Sequence, residues 1–114
     1  MNKEIDPTLE VTQLLDKAYA LLGENMHLSI QLAQEALEKS KELDNASLIG
    51  ESLSKLALFH MVSADNQKAI EMSEQAIVHF KKDNDELGIA RAKYNIAGVY
   101  YKTNNYHLGM FHLI

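Results

Sequence analysis

Apolar residues return every three or four positions along nearly the whole chain, and Ala, Leu, Glu, Lys and Gln outnumber clustered β-branched or aromatic residues. That period is the helix period, and no segment asks for a strand. Asp6-Pro7 pairs an N-cap carboxylate with a proline at the first helical position, and Leu14, Leu15, Ala18, Leu21 and Leu22 form the stripe that follows, up to Gly23 to Asn25. A second helix places Leu28, Leu32, Ala36 and Leu37 on one face and Glu35, Glu38, Lys39, Lys41 and Glu42 on the other, stopping near Asp44-Asn45. The third begins close to Ala46, carries Ile49, Leu53, Leu56, Ala57, Phe59 and Met61, and breaks at Ser63 to Asn66. A fourth packs Ala69, Ile70, Met72, Ser73, Ala76, Ile77 and Phe80. Asp83, Asn84 and Asp85 form the next acidic cap, with Glu86 at capping-box spacing from Asp83. The fifth runs through Ala90, Tyr94, Ala97 and Tyr101 to Thr103-Asn104-Asn105, and a sixth starts at Tyr106.

Turns of three to five residues make antiparallel hairpins, and the hairpins repeat. Ser29, Ala69 and Gly109 stand 40 residues apart, as do Ile30, Ile70 and Met110, Ala36 and Ala76, Ile49 and Ile89, and Ala57 and Ala97. Ala18 joins the series if the first hairpin turn is one residue shorter. A helix hairpin cannot bury both faces alone, so small residues at a fixed register mark where one hairpin stacks on the next. The expected units are 1–8 as a tail and first cap, 9–45 and 46–85 as two full repeats, and 86–114 as a truncated third.

The run Ile96, Ala97, Tyr100, Tyr106 and Gly109 resembles the signature of the tetratricopeptide repeat, in its longer variant of about 40 residues. Leu56, Ala57, His60, Ala69 and Ala76 match the same places in the second repeat, with His60 where Tyr is usual and Asn66 where an aromatic is usual; Ala18, Ser29 and Ala36 remain in the first. The resemblance implies an all-α fold of antiparallel hairpins stacked as a right-handed α-solenoid. It also implies a concave groove lined by the first helix of each pair. Counted from Ala18, Ala57 and Ala97, the groove residues are Thr12, Leu15, Asp16 and Tyr19; Glu51, Ser54, Lys55 and Leu58; and Arg91, Tyr94, Asn95 and Gly98. Apolar anchors and donors to carbonyls or carboxylates would then hold a peptide or protein segment. Relatives that clamp a terminal carboxylate use two Lys, an Arg and two Asn; Lys55, Arg91 and Asn95 fit that role here, while Asp16 and Glu51 oppose it.

The sequence closes on Met110, Phe111, Leu113 and Ile114 without a polar capping helix, so the expectation is a piece of a longer chain or a self-association face. In that alternative reading the chain is a homodimerising regulatory domain of a bacterial signalling protein, such as a histidine kinase or a nucleotide or diguanylate cyclase. Composition narrows the classes further. Eleven Lys and Arg against sixteen Asp and Glu give a net charge of −5, which argues against nucleic acid and against membrane contact. With no cysteine, no signal peptide and no run of about 18 uncharged apolar residues, the expected location is cytoplasmic.

Candidate chemistry is thin. The five histidines, His27, His60, His79, His107 and His112, form no i, i+4 pair, and no metal, cofactor or catalytic site is expected. Asp83 to Gly88 opens like a calcium loop, but Leu87 and Tyr94 stand where oxygen ligands are needed, so a capping turn is the better reading. His79-Phe80-Lys81-Lys82-Asp83 resembles a histidine phosphotransfer module, a third reading, with Asp83 where that family has an access-giving Gly.

Overall fold

The computed structural model describes residues 6–103, 105 and 113. Five helices follow one another: α1 (Pro7–Ala20), α2 (Met26–Glu42), α3 (Ala46–Val62), α4 (Asn66–Lys82) and α5 (Glu86–Lys102). Among the described residues there is no strand, and no helix is long and apolar enough to cross a membrane. The expected sixth helix, with Gly109, Met110, Phe111 and Ile114, lies outside the described residues.

Each helix starts on a side-chain cap. Asp6, Asn25, Asn45, Asp65 and Asp85 accept from the backbone N–H of Thr8, Leu28, Leu48, Lys68 and Gly88 at 2.9 to 3.3 Å. The last three caps also end the connector before them. In Leu43-Asp44-Asn45, Ser63-Ala64-Asp65 and Asp83-Asn84-Asp85 the middle residue has φ of 51°, 66° and 52°. The backbone N–H of the third residue then reaches back to the carbonyls of Ser40, His60 and Phe80 at 2.8 to 3.3 Å. This is the Schellman closure of a helix, and its last residue is at once the N-cap of the next. Asn105 N–H makes the same bond to the Tyr100 carbonyl at 2.6 Å.

The cap spacing corrects one expectation. Asp83 does not begin a capping box with Glu86; it is the C-cap of α4, and Asp85 is the N-cap of α5. The Asp83 carboxylate accepts from Ser47 N at 2.9 Å and that of Asp85 from Ser47 Oγ at 3.2 Å, so both acids sit at the N-terminus of α3. Free N–H groups and the helix dipole favour negative charge there.

Consecutive helices pack against each other, α1 also touches α3, and α3 also touches α5; among the described residues α2 and α4 do not meet. α3 is therefore the centre, buried through Leu48, Ile49, Leu53, Leu56, Ala57 and Phe59. Val11, Leu15 and Ala18 from α1, Ala33, Ala36 and Leu37 from α2, and Ala76 and Phe80 from α4 complete the core around it. The small residues of the 40-residue register stand at helix contacts: Ser29 and Ala69 are buried, and Ser29 Oγ donates to the Ala18 carbonyl at 2.7 Å across the first hairpin. Val11, absent from the expected stripe, is wholly buried.

Phe80 is the one large side chain that α4 drives between two neighbours. A Cβ added at Gly50 of α3 would stand 2.7 Å from its ring, and one at Gly88 of α5 would stand 2.3 Å from it. Glycine inside a helix costs up to about 1 kcal/mol relative to alanine, and here it makes room for an aromatic that is 1% exposed. Gly88→Ala should accordingly cost about 1–3 kcal/mol by overpacking, and Phe80→Ala about 3–5 kcal/mol. In the Phe80→Ala background the Gly88→Ala step should become neutral or stabilising; urea denaturation of the double-mutant cycle checks this. Equal effects of Gly88→Ala in both backgrounds would show that the ring does not set the glycine.

Candidate functional site

α1, α3 and α5 start in near-identical register, so residues one register step apart line up across the face these helices share. Thr12, Glu51 and Arg91 make one row, Leu15, Ser54 and Tyr94 a second, Asp16, Lys55 and Asn95 a third, and Tyr19, Leu58 and Gly98 a fourth. Two adjoining hollows lie on this face. The first, about 180 Å³, is lined by Thr12, Leu15 and Asp16 of α1, Glu51, Ser54 and Lys55 of α3, Arg91 of α5 and the ring of Phe80. The second, about 220 Å³, is lined by Ser54, Lys55, Leu58, Arg91, Tyr94 and Asn95.

Ten of the twelve expected groove residues thus line one hollow or both, and Tyr19 joins them through Lys55, whose Nζ lies 4.9 Å from the Tyr19 ring centroid. Phe80 was not expected there. It reaches the face only because Gly50 and Gly88 let α4 approach, a signal present in the sequence as two glycines inside helical segments. Gly98 does not open into the hollows in the same way, since a Cβ there would lie 3.3 Å from Met61 Sδ. Asn95 is partly committed to the fold: its Nδ2 donates to the Ser54 carbonyl at 3.3 Å, tying α5 to α3. Lys102 Nζ makes a parallel tie to the Met61 carbonyl at 2.9 Å.

Four charges share the first hollow, yet none pairs with another there. Among the described residues the single ion pair within 4.0 Å is Lys39 with Glu10 at 2.9 Å, away from this face. Glu51 is half-buried, and burial is what chiefly raises its pKa above the ordinary 4.5; Arg91 and Lys55 pull it down, while Asp85 and Asp16 push it up. Ser54 Oγ is buried and has no hydrogen-bond partner among protein atoms. The site therefore holds an acid and a hydroxyl whose bonding capacity the fold leaves unused.

The remaining candidates lie elsewhere. His60 and His79 have pKa values lowered first by burial, and then by Lys68 and by Lys82 and Lys41 respectively, with Asp65 opposing the shift at His60. His79 Nδ1 is buried without a partner on α4, outside the three-helix face. His27 is exposed in the first turn of α2. Among the described residues no three His, Asp or Glu side chains converge as metal ligands would. Leu113 lines an open apolar hollow of about 520 Å³ with Lys81, Glu86, Ile89, Ala90, Lys93 and Tyr94, on the outer side of α5.

No family model, curated protein or solved structure matches the chain. The reading of the site rests on its geometry.

A carboxylate whose folded pKa is raised stabilises the fold only below its ordinary pKa, and that contribution is lost as pH rises through the folded value. Glu51→Gln should therefore unfold at higher temperature than the parent at neutral pH. The gap should close as pH falls from about 7 to about 3.5, where both side chains are neutral. Thermal melts of the two proteins across that range check the sign; a gap that widens on acidification would mean that Glu51 is stabilised as the anion.

Proposed function

We propose that the chain is a non-catalytic peptide-binding or protein-binding module of the tetratricopeptide type, its hairpins stacked as a right-handed solenoid and its ligand held on the face of α1, α3 and α5. One observation carries the reading. Three helices, α1, α3 and α5, bring ten of the side chains expected from the tetratricopeptide resemblance to two adjoining hollows, in a mixture of apolar anchors, hydroxyls and charges. That mixture suits an extended or helical segment: Leu15, Leu58 and Tyr94 offer apolar contact, while Lys55, Arg91 and the free amide capacity of Asn95 offer donors to ligand carbonyls or carboxylates.

Tyr94 is 71% exposed, which makes it an anchor that binding would bury and folding does not need. Tyr94→Ala and Arg91→Ala should each weaken a peptide selected from a random phage-displayed library by about tenfold, the scale of an interface hot spot. Melting temperatures should stay close to the parent's. Fluorescence anisotropy with the selected peptide gives the affinity, and unchanged binding in both variants would move the ligand off this face.

A second reading, self-association through the outer side of α5, has its own support. Leu87 is 63% exposed beside Tyr94, whereas their register partners Ser47 and Ser54 on α3 meet Asp83 and Asp85 of the connector before α5 and Asn95 of α5 itself. A second copy could cover what a following hairpin covers on α3. Of the expected assembly residues Leu113 is exposed on this side, and Met110, Phe111 and Ile114 lie outside the described residues. Light scattering over a roughly hundredfold concentration range should then show a dimer that Leu87→Asp abolishes; a parent that stays monomeric throughout refutes the dimer.

A further inference from the structure

We infer that the hollow between α1, α3 and α5 is a receptor for one basic side chain, Lys or Arg, of a bound peptide, with Glu51 as its main partner and Asp16 as the second. The inference rests on the groove reading above and assigns the chemistry of what enters it. At about 180 Å³ the hollow falls below the roughly 300–1,000 Å³ of small-molecule sites, so it has room for a single side chain. Its walls suit a long one that is apolar along its stem and charged at its tip. Leu15 and the Phe80 ring supply the apolar part, and Thr12, Ser54, Glu51 and Asp16, with Lys55 and Arg91, the polar part.

The sign of the charge follows from which groups are already satisfied. Lys55 lies over the Tyr19 ring, and Arg91 is exposed and farther than ion-pair distance from Glu51. Glu51 is the half-buried charge, and its raised pKa means that Arg91 and Lys55 together do not compensate the loss of water. An ammonium or guanidinium would supply that compensation and donate to the unpartnered Ser54 Oγ. A ligand carboxylate in the same place would face both Glu51 and Asp16. The adjoining hollow shares Lys55 and Arg91 with the first and is lined by no acid. The groove therefore has a direction: the basic residue of the ligand lies toward α1, and its carbonyls or carboxylates lie toward α5. The net charge of −5 adds a long-range attraction for such a ligand.

The test uses the whole chain and peptides selected on it from a random phage-displayed library, located by amide chemical shifts of Glu51, Ser54 and Arg91. Groove-binding peptides should share a Lys or Arg whose replacement by norleucine, which keeps the stem and removes the charge, weakens binding about tenfold. In Glu51→Gln the same replacement should cost about twofold or less, and Asp16→Asn, at an exposed position, should give a smaller loss of the same kind. Groove binders that carry no basic residue, or one whose replacement costs the same in parent and Glu51→Gln, overturn this inference and leave the groove reading intact. Peptides whose shifts fall away from these residues, or a library that yields no binder, overturn both.

Discussion

Every side-chain placement on the three-helix face depends on connectors in which one residue closes a helix and opens the next. In the three connectors from α2 to α5 a residue at positive φ turns the chain, and the residue after it bonds back to the old helix and caps the new one. No residue is left over to vary the step. The helices therefore begin at Met26, Ala46, Asn66 and Glu86, and side chains 40 apart occupy the same phase on alternate helices. The geometry has an energetic cost, since a residue with a Cβ loses about 1–2 kcal/mol in the left-handed region. Asp44 and Asn84 are the types that tolerate it best, and Ala64 is not. The paired backbone bonds and the shared cap offset that cost by satisfying carbonyls and N–H groups that a short connector would otherwise leave bare. The first connector, from Leu21 to Asn25, has no residue at positive φ, and there the step between helix starts falls to 19 residues.

Phase alone would give two equivalent junctions between hairpins, but they differ at one register position. Where α2 offers Ser40, which shares a hydrogen-bond distance of 3.3 Å with Ser52, α4 offers Phe80. The serine pair lets α2 and α3 approach with little volume between them. The aromatic instead fills the space between α4, α3 and α5, and Gly50 and Gly88 are what the ring demands. Its ring lines the hollow together with Glu51 and Ser54. Packing chemistry in α4 thus contributes to a feature of the face formed by α1, α3 and α5.

The helices and their register were legible because both depend on local signals. Caps are short polar residues at fixed offsets from apolar stripes, and the 40-residue repetition of Ser29, Ala36, Ile49 and Ala57 in Ala69, Ala76, Ile89 and Ala97 needs no tertiary knowledge to see. The rows of the face follow from that register, and the tetratricopeptide resemblance is what named which side chains of those rows line a groove. What escaped was set by more than one helix at once. Asp83 was misplaced as the start of a capping box because its true partner, Ser47, lies 36 residues earlier in the chain. Phe80 read as one more apolar position of α4, and nothing local distinguishes a ring that packs within its hairpin from one that crosses to the far face. Val11 was missed because it sits within the first two turns of α1, where the stripe is too short to establish a phase.

Glu51 and Ser54 show the face departing from what stability alone would select. Both stand at the centre of α3, the helix most deeply surrounded, where an apolar pair would add to the core and leave no unpartnered hydroxyl or half-buried carboxylate. Ser29, Ser40 and Ser52 are as buried as any residue and each donates to a carbonyl, whereas Ser73 Oγ, Asn66 Oδ1 and His79 Nδ1 on α4 are buried without a partner, as Ser54 Oγ is. Unpartnered buried polar atoms thus occur on α4 as well as on the three-helix face, and of the four Ser54 is the one that lines a hollow beside a half-buried carboxylate. A fold whose register is already fixed by its connectors can carry such a cost at a few positions without losing its arrangement.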